Sequence, residues 1–432
     1  MKKKYLILLL SFFLNQNVFA ITLSEALLQA YLNNPELNAE RENIKVSKED
    51  LNISRSEFLP TVTLSGSRSE ENTDKLTDRT GASSSITDVN SKTQSIKIEQ
   101  KLFQGFAGVA GLQKSKIGLD LADAKLLKVE QEILYKAIEA YSGVVFANKK
   151  LKINEINLSL LERQVETDQA RLERGQVTLA DLAQSESSLA GAQAKFIQAK
   201  NDIVTAKLEY EKIIGSIENV DDFNKKPDFN FEIPNNLINA IQISKNNNPD
   251  LIIAKLDYEQ SEKDVVIAKA ELSPSATLSL SSTKTDDLSS TIDERDKETA
   301  QATISWPIFK GGKNKASLNR SKNLKNRKKL LLDNAIRMND TNVATAWSSF
   351  QSSKSLLNSV VLQVRAAEIA NEGITVEYES GLGRSTLDVI QSNSQLLDSK
   401  ISLAESERDY LLSQFKLLQV VGNLKNDYLK LQ

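Results

Sequence analysis

The chain has 432 residues, of which 40% are hydrophobic and 26% are charged, a composition typical of a folded protein with two or three ordinary domains. Its 55 basic and 57 acidic residues leave a formal net charge of −2, which excludes a global field that would hold nucleic acid or acidic lipid. The chain has no cysteine and no histidine, so it lacks thiol nucleophiles, the usual general base and the common zinc ligands. We therefore expect no cofactor, no metal site and no enzymatic activity.

The first twenty residues, 1–20, have the organisation of a cleaved secretory signal peptide. Three lysines precede an apolar run from Tyr5 to Leu14, and the small residue Ala20 ends a sequence that fits a leader-peptidase site. A membrane anchor is the alternative, but the apolar run has about half of the ~20 residues that a helical span needs. No later segment is apolar over ~18 consecutive residues, so a membrane role would have to use strands.

The chain contains the same sequence pattern twice. The sequence "NNPEL" around Pro35 returns as "NNPDL" around Pro249, and the same shift of 214 places Pro60 on Pro274. Further along, "KLFQGF" matches "PIFKGG" at a shift of 206. A structural duplication of about 200 residues explains this pattern, because length changes fall in loops. We predict a first repeat at 21–218 and a second at 219–432, which together form one protomer.

Each repeat predicts the order helix, strand, loop, strand, long helix, turn and helix. The first helical segment breaks at "NNP", where asparagine ends one helix and proline can open the next without losing a needed hydrogen bond. The two NNP sequences are therefore matching helix joints. The acids that follow the prolines, Glu36 and Asp250, suit the positive end of the new helix.

Alternating polar and apolar residues predict two strand pairs, at 61–65 with 95–99 and at 276–280 with 301–306. One face of these strands is polar, with Lys97 and Glu99 among its residues. The apolar face would meet a protein core or membrane lipid. Its members are Val62, Leu64, Ile96, Ile98, Leu278, Leu280, Ile304 and Trp306. The segments between the paired strands, 67–93 and 281–298, are rich in Ser, Thr, Asp and Lys and predict solvated loops.

Long helices follow the strands. Apolar residues recur every seven positions without an intervening proline, interrupted once by Asn371 in the second repeat, which is the pattern of helices that pack on helices. The recurring residues are Ala137, Val144, Leu151, Leu158, Val165 and Leu172, and then Ile336, Val343, Phe350, Leu357, Val364 and Tyr378. Neighbouring seam positions are partly polar, with Asn154, Glu155 and Asp168 among them. A cylinder wall with one wetted side would produce this mixture.

Four strands cannot close a barrel, because the smallest membrane barrels need about eight. Backbone groups in lipid must all be paired, so strands of this chain that enter a membrane require several copies to share one barrel. The alternative is a periplasmic coiled-coil scaffold or adaptor whose strands form a soluble cap.

The motifs resemble those of the TolC family of outer membrane efflux proteins. They are "ITLSEALLQAYLNNPEL", "FLPTVTLSGS", "LFQGF", "PIFKGG", "RGQVTLADLAQSESSL" and "ESGLGRSTLDVIQSNSQLLDS", in order from Ile21 to Gly422. The resemblance implies an outer-membrane protein that extends into the periplasm, with long coiled-coil hairpins forming an α-barrel. It implies a homotrimer with one 12-stranded β-barrel in outer-membrane lipid. It also implies the passive exit duct of a tripartite pump or type I secretion system, with an adaptor protein and an inner-membrane pump or ABC transporter as partners. The cargo does not follow from the sequence.

The resemblance also places a gate at the periplasmic end of the duct. Asp388 matches a carboxylate that lines the closed aperture, and Gln391 stands where many members carry a second acid. Arg384 matches a basic residue that holds the closed state, and Asp181 is its possible partner. Both acids follow a helix-start threonine, so helix capping is the competing interpretation.

Gly175, Gly381 and Gly383 are expected to let the chain reverse at the hairpin tips, where the resemblance places adaptor docking. The run from Lys310 to Lys329 is strongly basic. We interpret it as a solvated helix face, since it has no aromatic residues of the kind that stack on nucleic acid.

Overall fold

The computed structural model describes residues 22–73, 76–77, 79–81, 83–84, 87–217, 223, 231–289 and 292–430. The predicted signal peptide, 1–20, lies outside these residues. The helices are α1 Leu23–Asn33, α2 Pro35–Ser56, α3 Ala107–Glu173, α4 Leu179–Ile213, α5 Leu237–Asn247, α6 Pro249–Ala270, α7 Lys313–Glu379, α8 Thr386–Val421 and α9 Asn426–Leu429. The strands are β1 Thr61–Thr73, β2 Leu76–Thr77, β3 Ser83–Ser84, β4 Thr87–Gln104, β5 Ser275–Ser289 and β6 Ile292–Ser305.

The two NNP sequences are helix joints, as predicted. α1 ends at Asn33 and α2 opens at Pro35, while α5 ends at Asn247 and α6 opens at Pro249. The Asn34 side chain accepts hydrogen bonds from the backbone N–H groups of residues 36 and 37, at 3.0 and 3.3 Å. Asn248 does the same for residues 250 and 251, at 2.9 and 3.2 Å. The second asparagine of each motif therefore caps the helix that proline begins.

The four long strands form one antiparallel sheet in the order β1-β4-β5-β6. Thr61 lies opposite Glu99 in the first hairpin, and Ser275 lies opposite Ser305 in the second. The two pairs are related by 214 and 206 positions, because 61 plus 214 is 275 and 99 plus 206 is 305. The strand register of one repeat thus reproduces that of the other, and the duplication seen in the sequence is structural.

The prediction of long solvated loops was wrong over much of 67–93 and 281–298. β1 and β4 continue in register to the pair Thr73 and Thr87, and β5 and β6 continue to Ser289 and Ile292. Backbone pairing needs no apolar side chain, and serine or threonine pairs across these strands supply additional hydrogen bonds. Ser69 and Ser91, for example, are joined at 3.2 Å.

The described residues fall into two compact units. The strand unit comprises Ala39–Val129 and Lys245–Asp340, and the hairpin unit comprises Glu130–Ser244 and Thr341–Gln432 together with the segment before Ala39. Each unit contains parts of both sequence repeats, and α3 and α7 each contribute residues to both units. The repeat boundaries at residues 218 and 219 remain a prediction.

Helices in the strand unit follow one another in the same order as the strands to which they connect. Side-chain contacts join α2 to α3 through Ser54 and Ser115, at 2.5 Å. Lys114 of α3 pairs with Asp264 of α6 at 2.6 Å, and Lys325 of α7 pairs with Glu262 of α6 at 3.1 Å. The order is therefore α2-α3-α6-α7, with α2 and α7 at the two ends of the row.

Packing in the hairpin unit is apolar near its helix joints. One core combines α5, α7 and α8, where Ala240, Val343, Phe350 and Leu417 are buried together. Closer to the tips the predicted seam was wrong in detail. Leu151 and Leu158 are only partly buried, whereas Asn154, Leu161 and Asp168 are buried, also at seven-residue spacing. The buried seam of α3 is therefore displaced by three positions and is partly polar.

Among the described residues, none of the helices is long and apolar enough to cross a membrane.

Candidate functional site

Both hairpin tips have the same turn. At the end of α3 the N–H of Gly175 donates to the carbonyl of Leu172, and the N–H of Gln176 donates to that of Arg171, both at 2.9 Å. At the end of α7 the corresponding bonds run from Gly381 to Tyr378, at 3.2 Å, and from Leu382 to Glu377, at 2.9 Å. This is the Schellman arrangement, in which the glycine adopts a left-handed conformation. The glycine φ angles of 71° and 72° agree with it.

The second tip contains one more residue, because three positions separate Gly175 from the cap Thr178 and four separate Gly381 from Ser385. Gly383 lies within this longer turn at a φ of 83°. A conformation of this kind is strained for other residues. Gly175, Gly381 and Gly383 therefore reverse the chain at the tips as expected, while adaptor docking at these glycines remains a prediction.

Asp181 and Asp388 complete capping boxes at the starts of α4 and α8. The cap residue is Thr178 at the first tip, as predicted, but at the second tip it is Ser385 and not the predicted Thr386, which is the first residue of the helix. Asp181 Oδ2 accepts the Thr178 N–H at 2.9 Å, and Asp388 Oδ2 accepts the Ser385 N–H at 2.9 Å. The hydroxyls of Thr178 and Ser385 bind the same carboxylates and also accept the N–H groups of the two acids. These backbone and hydroxyl hydrogen bonds lower the pKa of Asp181 and of Asp388, and nearby Arg384 lowers that of Asp388 further. Both acids are charged at neutral pH.

Arg384 pairs with Glu377 and not with Asp181, the partner that the sequence predicts. Its Nε donates to Glu377 Oε2 at 2.6 Å, and this pairing raises the pKa of the Arg384 guanidinium. The reason is local. Glu377 occupies the last turn of α7, seven positions before Arg384, whereas the Asp181 carboxylate is engaged by Thr178. Gln391 lies one turn after Asp388 on α8 and is exposed.

A buried cluster of polar side chains joins all four helices behind the tips. Asp168 of α3 is fully buried and accepts hydrogen bonds from Ser185 of α4 at 2.5 Å and Tyr378 of α7 at 2.9 Å. Gln164 contacts both carboxylate oxygens at 3.0 Å, and the Tyr378 hydroxyl also lies 3.0 Å from that of Thr386 on α8. We call these five residues the tip network.

The tip network holds a buried carboxylate with neutral donors. Such a group is costly to bury unless its hydrogen bonds are made, and removing one donor leaves much of the desolvation penalty uncompensated. The guanidinium carbon of Arg171 lies 4.3 Å above the Tyr378 ring, which adds a cation–π contact to the cluster. Hydrogen bonds through Asp168 and Tyr378 therefore connect all four helix ends.

Sequence reasoning named Asp168 and Tyr378 separately and did not join them. The sequence does contain a signal for this cluster. Asn154, Leu161 and Asp168 follow one another at seven-residue spacing, and such spacing marks buried positions, where an acid needs hydrogen-bond partners. The roles of Ser185 and Thr386 had no sequence signal, because serine and threonine are common on exposed helix faces.

All eight apolar strand residues named from the sequence have exposed side chains in the single chain. Val62 lies opposite Ile98, which lies opposite Leu280, so three of them form a row across β1, β4 and β5. Trp306 follows β6, which ends at Ser305, and its indole N–H donates to the Leu272 carbonyl at 3.1 Å. A continuous exposed apolar face of this kind indicates a contact surface.

This architecture is that of an outer membrane channel. The solved structure of VceC from Vibrio cholerae matches with a TM-score of 0.78 at 17% sequence identity, covering 93% of this chain and 96% of that one. The outer membrane efflux protein BepC of Brucella suis is 27% identical over 419 residues, which cover 96% of this chain and 89% of BepC. The alkaline protease secretion protein AprF of Pseudomonas aeruginosa is 21% identical over 425 residues, covering 97% and 88%.

The sequence profile of the outer membrane efflux protein family matches residues 26–216 and again residues 240–423. The chain therefore belongs to this family, whose members are channel proteins of the outer membrane and not enzymes. The protein is located in the outer membrane and has the fold expected from the resemblance to the TolC family.

Proposed function

We propose that the chain forms a homotrimeric exit duct for a tripartite efflux pump or a type I secretion system. The observation that carries this proposal is the four-stranded sheet of the strand unit. It bears an exposed apolar face, and within the described residues β1 and β6 each pair on one side only. An exposed strand edge cannot be left unpaired in lipid, so the sheet requires further copies.

Three chains give a closed barrel of twelve strands. β1 has 13 residues and β6 has 14, and the two run antiparallel in the sheet order, so the free edge of one chain fits that of the next in length and direction. Even strand numbers of eight or more are those of outer-membrane barrels. Val62, Leu64 and their apolar neighbours would then face lipid.

The tip network supports opening at the helical end. Asp168, Tyr378 and Thr386 connect α3, α7 and α8. Separating these helices therefore requires breaking the bond from Tyr378 to the buried Asp168 or the bond between the Tyr378 and Thr386 hydroxyls. Asp388 lies on the first turn of α8, where its charge can act on ions that pass a narrow aperture. Arg384 and Gln391 lie close to it in the sequence, and Asp181 occupies the equivalent place on α4. We assign the gate to this region.

The hairpin tips also present apolar side chains suited to an adaptor protein. Leu179, the first residue of α4, is 70% exposed, and Leu382, which lies between Gly381 and Gly383, is 72% exposed. Exposed leucines on a fixed turn are typical of a docking surface. The names of the relatives divide between efflux, as in BepC, and protease secretion, as in AprF, so both kinds of inner-membrane partner agree with the family.

The test is to purify the protein from outer membranes in mild detergent, measure its oligomeric state and record single channels in planar bilayers. We expect a heat-modifiable trimer that inserts and conducts. A monomer or dimer that washes from membranes with carbonate would contradict the duct and favour a periplasmic scaffold.

A further inference from the structure

The basic run at the start of α7 is organised in two stripes. From Lys313 to Lys329 the helix carries eight basic and no acidic residues, whereas the equivalent start of α3, residues 107–123, carries two of each. Lys325 and Lys328 pair with acids of α6. The other six cations are exposed, and no carboxylate of a described residue lies within ion-pair distance of them.

Sequence spacing fixes where these six cations lie. Three positions face α6. Asn314 donates to the carbonyl of Glu271 at 2.7 Å, Ser321 is buried, and Lys328 pairs with Asp257. A cation precedes and another follows each of these positions. Because successive residues turn by about 100° around a helix, the cations form one stripe on either flank of the α6-facing side. The first stripe is Lys313, Arg320 and Arg327, and the second is Lys315, Lys322 and Lys329.

The position of α7 in the row of helices determines which surfaces of the wall the two stripes face. α7 is an end helix of the row α2-α3-α6-α7, so in the proposed trimer it packs between α6 of its own chain and α2 of the next. A helix in a wall one helix thick has a neighbour on two sides and water on the other two. One stripe then faces the duct, and the other faces the outer surface of the wall.

We propose that the duct-facing stripe of α7 makes the channel attract anionic solutes. This inference rests on the trimeric duct proposed above. Three chains would place nine cations around the wall below the barrel, and clustered charge of one sign raises the local concentration of ions of the opposite sign. Lys313 and Lys315 lie in the first turn of α7, where the macrodipole disfavours positive charge, so helix stability does not explain these two cations. At the proposed aperture Asp388 is the acid of α8, and Gln391 adds no second negative charge beside it.

The experiment measures reversal potentials in planar bilayers across a KCl gradient near 0.1 M, where the Debye length is about 10 Å. One triple variant carries Lys315→Gln, Lys322→Gln and Lys329→Gln, and the other carries Lys313→Gln, Arg320→Gln and Arg327→Gln. We expect one triple variant to lower the chloride-to-potassium permeability ratio by about twofold or more. The other should keep the wild-type ratio.

The controls exchange lysine for arginine, and arginine for lysine, at the same three positions of each stripe, which keeps the charge and should keep the ratio. Raising the salt to about 1 M should remove the difference between the wild type and the glutamine variant, because screening shortens to about 3 Å. Unchanged ratios in both glutamine variants at normal conductance would overturn the inference. A less heat-stable trimer with an unchanged ratio would also overturn it, since the cations would then pair with acids of the next chain. Failure of the wild type to conduct would instead contradict the duct itself.

Discussion

The Tyr378 hydroxyl donates a 2.9 Å hydrogen bond to Asp168 Oδ1, although the two residues are 210 positions apart and belong to different sequence repeats. Both side chains are buried, and the same hydroxyl lies 3.0 Å from that of Thr386. One phenol therefore connects the ends of α3 and α7 with the beginning of α8. Removing the Tyr378 hydroxyl should therefore change the relative positions of all three helices.

Replacing Tyr378 with phenylalanine keeps the ring and removes this donor. A buried acceptor that loses a partner costs about 1–3 kcal/mol, so the variant should unfold or dissociate at a lower temperature. If the tip network holds the aperture closed, single-channel conductance in planar bilayers should also rise. Unchanged conductance with reduced stability would confine the network to a structural role.

The matched control is Tyr410→Phe on α8. The Tyr410 ring stacks on Phe350 with centroids 6.0 Å apart, and among the described residues only the backbone carbonyl of Tyr410 takes part in a hydrogen bond with a side chain, that of Ser413. Removal of this hydroxyl should leave both stability and conductance near those of the wild type. An equal effect of the two variants would mean that the Tyr378 hydroxyl has no special role.

Asp388 has two candidate roles that different substitutions separate. Asp388→Asn retains an oxygen that can accept the Ser385 N–H, but it removes the charge, whereas Asp388→Ala removes both. An aperture role predicts altered ion selectivity in both variants. A pure capping role predicts that only the alanine variant changes, with a lower unfolding temperature. Reversal potentials and thermal unfolding of the two variants decide between these outcomes.

The Asp388 carboxylate also makes the stability of the capping box at the second hairpin tip depend on pH. Because the pKa of Asp388 is lowered in the folded protein, its contribution is present above the ordinary aspartate pKa of about 3.9 and is lost as the pH falls through the lower folded value. Amide exchange at Ser385, corrected for its intrinsic rate, should show constant protection from about pH 8 to 5. Protection should fall below about pH 4 in the wild type and stay constant in Asp388→Asn. A loss of protection between pH 7 and 5 would contradict this assignment.

Local signals made much of this fold predictable. The joints at Pro35 and Pro249, the tip glycines and the capping boxes each depend on residues within one turn of one another, so a short sequence is enough to specify them. The long helices likewise follow from heptad spacing. The extent of the strands was not predictable from alternation, because polar pairs such as Ser69 and Ser91 continue the backbone ladder without an apolar face.

The tip network was not predictable because its members come from four helices. Asp168 could be recognised as a polar residue in a packed seam, but nothing near it in the sequence names Tyr378 or Thr386. Glu377 was missed as the partner of Arg384 for a related reason. The intervening Schellman turn brings the Glu377 and Arg384 side chains together, whereas the family resemblance predicts that Arg384 pairs with an acid of the other hairpin.

Alanine substitution should have opposite effects on stability at two glycines, one within α7 and one at its tip. Gly381 has a φ of 72°, where an alanine is strained by about 1–2 kcal/mol, so Gly381→Ala should lower the unfolding temperature. Gly373 lies within α7, and an added Cβ would meet no atom within 4 Å. Gly373→Ala should therefore stabilise the protein by about 0.5–1 kcal/mol. Thermal unfolding of both variants gives the two signs, and stabilisation by Gly381→Ala would contradict the left-handed turn.

The proposed trimer has a definite register between chains, which follows from the duplication. β1 is equivalent to β5, and β4 is equivalent to β6, so the contact between β6 and the next chain's β1 is equivalent to the contact between β4 and β5. Within one chain Ile98 lies opposite Leu280. Adding 206 to the first number and subtracting 214 from the second places Ile304 opposite Gly66 of the next chain.

Cross-linking tests this register without interference, because the natural chain has no cysteine. The double variant Gly66→Cys with Ile304→Cys should give covalent dimers and trimers on denaturing gels with a short thiol cross-linker. The control pairs Gly66→Cys with Glu298→Cys, which moves the second thiol six residues, or about 20 Å, along β6 and should give none. Cross-linking of the control pair alone would mean a different register. Absence of cross-links in both, together with a monomer in detergent, would mean that β1 and β6 do not meet between chains.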